Sequence, residues 1–264
     1  MKLLIPNVFF ITLTILLTTI APQLLNSHNN YYPSKSCLST NVTSDEAMRA
    51  FENHIMDIYY SANLGHKNLD YNVFKYAITG FYNLKSQYLY HPNQQILSII
   101  DYRQASTKKR LYVVDIQRKK LLYNTWVAHG INNGMLYATH FSNRPNSRQA
   151  SLGFYRTGES YSGKFGYAMR LDGLERNFNH NARRRSIVMH SDPMIDAGYI
   201  AKLNMLSRSW GCPAVSADIH KPLINLIRNG SCLFIYYNDI NYLNNSLYLN
   251  NYMAASFFYQ RNRW

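Results

Sequence analysis

The chain reads as mainly β, with a short helical segment ahead of the sheet. Two observations lead there. From Gln95 onward, short apolar runs rich in Val, Ile, Leu and Tyr alternate with turn residues, the pattern of a strand-built domain. Before that point, apolar residues recur every three or four positions in two stretches, the pattern of packed helices.

Taken in order, Leu3 to Leu25 carries no charged residue and follows Lys2, with Val8 to Leu17 as its apolar centre. Residues 1–27 are therefore expected to be a secretory signal peptide, or an N-terminal anchor that holds the protein to a membrane. Residues 28–43, rich in Asn, Ser, Tyr and Pro, form a linker. Residues 44–94 form the helical segment. Its first helix starts at Ser44 as cap with Asp45 and Glu46 in the first turn, and Ala47, Phe51, Ile55, Ile58 and Tyr59 make one face. Its second runs from Asp70 through Ser86, with Val73, Phe74, Ala77, Phe81 and Tyr82 on one side.

Residues 95–237 form the strand-built domain. Ile96–Ile100, Leu111–Ile116 and Leu121–Val127 are the first strands, the last two joined as a hairpin through Gln117 to Lys120. Arg185 to Met189 is expected to be a core strand carrying His190 at its end. Ala217 to Arg228 follows as a helix, and Cys232 to Tyr237 as the closing strand. The Asn/Tyr-rich tail, 238–264, either covers an edge of the domain or contacts a membrane.

Lys and Arg number 28 against 14 Asp and Glu, a formal charge of +14. That excess favours anionic partners. In an exported protein, periplasmic or otherwise bound to the cell envelope, the partner is the cell-wall polymer or an anionic membrane surface. Nucleic acid is the rival, carried by Lys119-Lys120, Arg183-Arg184-Arg185 and the many tyrosines. The leader and the lack of a nucleic-acid motif argue against it. No Cys-x-x-Cys, His-x-x-x-His or His-Glu-x-x-His spacing is present, so neither metal nor other cofactor is expected. His129 and His140 read as structural or substrate-side residues.

The chemistry concentrates in Ser207-Arg208-Ser209-Trp210-Gly211-Cys212-Pro213 and in Ile187-Val188-Met189-His190 upstream. Cys212 stands between Gly and Pro, a turn context rather than the apolar setting of Cys232. A thiol needs a base or a lowered pKa to act as nucleophile, and imidazole is the usual partner. Glycine at 211 lets backbone approach closely and leaves amides beside the cysteine for a developing oxyanion. Three cysteines leave one unpaired in an exported chain; Cys212 suits that part, and a Cys37–Cys232 disulfide stays open.

From about Asp101 to Tyr237 the chain resembles the L,D-transpeptidase catalytic domain, in the murein branch that carries Ser-x-Gly-Cys-Pro. The matching residues include Phe141-Ser142-Asn143, Ala150 to Tyr155, Tyr161 to Tyr167, Leu171 to Glu175, Asn179, Ala182, Arg185 to His190 and Ser207 to Ala214. The resemblance implies a β-sandwich catalytic domain with a cysteine nucleophile. Such enzymes attack the carbonyl of the third residue of a peptidoglycan tetrapeptide stem and release the terminal D-alanine. The acyl group then passes to an amine of a neighbouring stem or a protein, or to water in an L,D-carboxypeptidase. Carried over, Cys212 is nucleophile and His190 base, with Ser191, through its carbonyl, Ser209 and Gly211 supporting them. Two departures stand out: Trp210 replaces a second histidine of many members, and Pro213-Ala214 replaces an apolar residue and an arginine. Arg185 and Arg208 are then the candidates to hold the stem carboxylate, and Trp210 to line the acyl pocket or lie in the core. A non-catalytic wall-binding protein is the alternative from another class.

Overall fold

The computed structural model describes residues 44–90, 93–163 and 166–262. The leader and linker expected over 1–43, Cys37 among them, lie outside these. Helix α1 (Ser44–Ser61) buries Ala47, Phe51, Ile55 and Ile58. Helix α2 (Tyr71–Ser86) is capped by Asp70, whose side chain accepts from the amides of Asn72 at 2.9 Å and Val73 at 3.2 Å. Every residue from Ile78 to Lys85 is buried, far more than one face. Gly80 explains how closely α2 approaches its neighbour: a Cβ there would lie 1.9 Å from the Phe154 ring.

Eight strands follow: β1 (Ile96–Asp101), β2 (Leu111–Asp115), β3 (Lys120–Thr125), β4 (Gly153–Gly163), β5 (Gly166–Gly173), β6 (Val188–Ser191), β7 (Ala214–Val215) and β8 (Cys232–Tyr236). They make one sheet in the order β3-β2-β1-β8-β4-β5-β6-β7. Neighbours are antiparallel except β1–β8 and β6–β7. An antiparallel bridge between Ala128, just past β3, and Ala214 on β7 links the two ends of that order, so the sheet closes on itself around its core. The mainly β reading with helices ahead of the sheet is what the chain adopts.

Two local expectations change. The strand before His190 begins at Val188, because Ser186 takes a left-handed φ of +55° and residues 182–186 turn on themselves. Helix α3 (Ala197–Leu203) precedes the Cys212 turn; the helix after the turn, α4, is His220–Ile227 and not Ala217–Arg228. Pro222, which has no N–H, is at home in the first turn of the shorter helix and would break the longer one. Cys232 to Tyr236 is the last strand of the chain, as expected, and lies centrally in the sheet, between β1 and β4.

The tail folds back as α5 (Ile240–Asn245) and α6 (Asn251–Arg261). Asn83 of α2 donates to the carbonyls of Tyr248 at 2.8 Å and Asn250 at 2.9 Å, and Phe258 stacks on His54 of α1 at 4.4 Å. Glu175, buried beyond β5, accepts from Tyr242 at 3.0 Å and Ser246 at 2.5 Å, tying the tail to the sheet. Cys232 is fully buried and accepts from the Tyr90 hydroxyl at 3.0 Å.

Candidate active site

Parallel pairing of β6 with β7 closes the sequence gap between His190 and Cys212. His190 stands opposite Ala214, and its amide donates to the Pro213 carbonyl at 3.4 Å. The turn that carries Cys212 is thereby laid beside the end of β6. Val188, two residues before His190 and on the same face of the strand, donates its N–H to the Cys212 sulfur at 3.4 Å. The thiol points to the Ser186 carbonyl at 3.7 Å.

The turn itself is held from three sides. Ser209 donates its N–H to the His129 carbonyl at 2.9 Å, and its own carbonyl accepts from Ile131 at 2.7 Å. Its hydroxyl accepts from the Gly211 amide at 3.1 Å and donates to the Cys212 carbonyl at 2.6 Å. Gly211 has φ +112°, and a Cβ there would sit 2.6 Å from the Gln149 carbonyl oxygen, so no side chain fits. The sequence reading placed Gly211 among the oxyanion supports. Its N–H is instead taken by Ser209, and among the described residues the amides of Trp210 and Cys212 are the ones in this turn with no protein acceptor.

His190 directs Nδ1 at the Ser191 carbonyl, 2.8 Å away. A carbonyl only accepts, so Nδ1 carries the proton and Nε2 presents the lone pair. Burial pushes the half-buried Cys212 thiol above its ordinary pKa; the Val188 N–H and the Arg185 charge pull it back part of the way. A thiol in that position is inert until a base takes its proton.

The arginines sort differently from the sequence reading. Arg185 donates to the Ser142 carbonyl at 2.8 Å, Ser151 Oγ at 2.6 Å, Ser147 Oγ at 3.0 Å and the Gln149 carbonyl at 2.5 Å. Both terminal nitrogens are used, so no fork is left for a substrate carboxylate; Arg185 clamps the 142–151 loop. Arg183 is bound by Asp172 and Glu159. Arg208 leans on the carbonyls of Ile131 at 3.3 Å and Gly134 at 3.2 Å from one nitrogen. Trp210 is 70% exposed, so it is not core. Its ring carries the guanidinium of Arg148 at 4.5 Å, an exposed residue that sequence reasoning missed because it lies 62 positions from Trp210 in a loop.

Behind the turn His129, read from the sequence as structural or substrate-side, pairs with Arg110, which that reading missed. Arg110, fully buried, donates to the Val127 carbonyl and to His129 Nδ1 at 2.7 Å. Burial and the Arg110 charge hold the His129 pKa down at about 3, so it stays neutral, and burial lowers Arg110 itself to about 10. His129 is structural, and it holds Ser209 through its carbonyl. Exposed His140 contacts Thr139. Among the described residues no three His, Cys, Asp or Glu side chains converge as a metal site would require.

A family model described as the L,D-transpeptidase catalytic domain matches residues 65–236, from just before α2 to the end of β8. Among curated proteins none matches significantly. Solved structures that resemble the chain include an L,D-transpeptidase from Mycobacterium smegmatis, with 11% identity over 54% of this chain and 59% of that one, at a TM-score of 0.34. Another is L,D-transpeptidase 3 from Mycobacterium tuberculosis, with 12% identity over 54% of this chain and 61% of that one, at 0.33. The chain thus spans about three fifths of the structures it resembles.

Proposed function

The chain belongs to the L,D-transpeptidase catalytic-domain family, and from that premise we propose that it is an exported cysteine acyltransferase acting on peptidoglycan tetrapeptide stems. The observation that carries the reading is the junction of β6 and β7, which lays the Cys212 turn beside His190 while Ser191 fixes the imidazole tautomer.

In this reading His190 Nε2 takes the thiol proton as the sulfur attacks the carbonyl of the third stem residue. The tetrahedral oxyanion faces the amides of Trp210 and Cys212. Collapse breaks the peptide bond; His190 returns the proton to the departing D-alanine amine, leaving a thioester on Cys212. An acceptor amine then gives a proton to His190 and attacks the thioester, and the thiol is restored. The exposed pair Trp210 and Arg148 forms the substrate-facing rim, with Arg148 in the place the sequence reading gave to Arg185.

Export is supported by the uncharged stretch Leu3–Leu25; N-terminal sequencing of the cell-envelope fraction tests it, and a chain found only inside the cell refutes it. The chemistry is tested by intact-mass analysis of the wild type and Cys212→Ala after incubation with disaccharide-tetrapeptides. A covalent adduct with loss of D-alanine, absent from Cys212→Ala, is the expected result; the released products separate amine transfer from hydrolysis. Absence of both adduct and product overturns the reading.

A further inference from the structure

Among the described residues Arg185 is a cation with no carboxylate partner. Among the described residues, Arg103, Arg118, Arg156, Arg170 and Arg183 each pair with an Asp or Glu, whereas the four acceptors of Arg185 are two serine hydroxyls and two backbone carbonyls. Neutral acceptors fix a guanidinium in place without cancelling its charge. The charge is held against the nucleophile turn: Nη2 lies 3.4 Å from where a Cβ on Gly211 would stand. The next residue along, Ser186, offers its carbonyl to the Cys212 thiol at 3.7 Å.

We propose that Arg185 is a positioning residue whose charge stabilises the Cys212 thiolate, sharing with His190 the task of ionising the nucleophile. The proposal rests on Cys212 being the nucleophile of the reading above, and it assigns Arg185 to the enzyme's own sulfur in place of the substrate. The titratable groups facing the pair are few. Arg185 and Tyr102, just past β1, act on Cys212, whose turn is laid by β7 beside the end of β6 that carries His190; Tyr155 on β4 acts on Arg185. Burial raises both phenols far above their ordinary range, so neither ionises near neutral pH. An opposite charge near an acid lowers its pKa by about one unit or more, and the Arg185 charge acts on Cys212 in that direction.

The test needs no peptidoglycan. Iodoacetamide alkylates the thiolate: a carbon–sulfur bond forms, the carbon–iodine bond breaks and iodide leaves. The rate at Cys212, resolved from Cys37 and Cys232 by peptide mass spectrometry, is followed from pH 5 to 10 on the full chain. In Arg185→Gln the midpoint is expected to rise by about one unit, a tenfold loss of thiolate at a pH below both midpoints. The more basic thiolate is also the better nucleophile, so the plateau at high pH is expected to rise about threefold. Arg185→Lys, which keeps the charge, is expected to restore the wild-type midpoint. The double variant Ser147→Ala/Ser151→Ala loosens the clamped loop with the charge intact, and its midpoint is expected to stay at the wild-type value. An unshifted Arg185→Gln, or a double variant shifted as far as Arg185→Gln, overturns the proposal; should the glutamine variant not fold, Arg185→Met takes its place. A shifted midpoint in a protein that acylates no tetrapeptide would leave Arg185 in this role and remove the proposed substrate.

Discussion

Ser209 places one oxygen between the Gly211 amide and the Cys212 carbonyl, at 3.1 Å and 2.6 Å, and Ser209→Ala removes that oxygen while leaving every charge in the site. Two hydrogen bonds are lost, each worth about 1 kcal/mol net. Gly211 is buried, so its orphaned N–H moves the total toward about 3 kcal/mol. In a folded unit of this size each kcal/mol lowers Tm by about 2–4 °C, which gives a fall of roughly 6–12 °C. The effect on rate has a different origin. With the oxygen gone, the turn at Gly211 (φ +112°) keeps only the backbone bonds of Ser209 to His129 and Ile131, and the sulfur and the two amides proposed for the oxyanion lose part of their common frame. Misplacement by about 1 Å costs on the order of a hundredfold in the acylation step. Single-turnover mass spectrometry with a tetrapeptide donor measures that step, and calorimetry the Tm; Ser209→Thr, which keeps the hydroxyl, is expected to recover both. The pH midpoint for alkylation of Cys212 is expected to stay near the wild-type value, since His190 and Arg185 remain. A variant that loses stability but acylates at the wild-type rate would show that the hydroxyl only braces the fold, and would refute the reasoning.

Two further outcomes follow from the same geometry. His129 has its pKa depressed to about 3 in the folded chain against about 6.5 unfolded, so below pH 6.5 the unfolded state binds the extra proton and stability falls as the solution is acidified. The slope approaches about 1.4 kcal/mol per pH unit between pH 6 and 4. His129→Gln is expected to remove that contribution from a urea-unfolding series, and an unchanged slope would show that His129 is not the group responsible. Arg148→Ala and Trp210→Ala disturb the rim and not the turn, so each is expected to raise KM for the donor about two- to fivefold with kcat nearly unchanged, in line with an exposed cation–π contact. A fall in kcat at constant KM would place the pair in the chemistry instead.

How much of this was legible in the sequence depends on how local each determinant is. The helical spacing of Ala47, Phe51, Ile55 and Ile58 and the Asp70 cap belong to single elements, and α1 and α2 form where the pattern puts them. The strand β6 was read too long because Arg185 and Ser186 look extended beside Ile187-Val188-Met189, and only the left-handed φ at Ser186 stops the strand. The long hairpin β4–β5 is not legible as strands, since glycines interrupt its alternation. The tail helix α6 has no clean apolar stripe; what orders it is polar contact with Asn83 and Thr79 of α2 and the Phe258–His54 stack. Those partners lie more than 160 positions away, where no local pattern reaches.

The site divides the same way. Cys212 and His190 stood out because turn chemistry and the end of an apolar run are local signals, whereas the arginines stood out only as a composition. Their roles are set by which carboxylates reach them. On the outer face of β4 and β5, Arg156, Arg170 and Arg183 are matched by Asp172 and Glu159. Around the nucleophile, Arg148, Arg185 and Arg208, with Arg110 behind the turn, have no carboxylate within ion-pair distance among the described residues. A formal charge of +14 spread evenly would favour any anion weakly. Four unmatched guanidiniums gathered at one turn do something more selective: in the function proposed above, they set a positive potential where the thiolate and then the oxyanion would form, and where the carboxylate of a stem peptide would arrive.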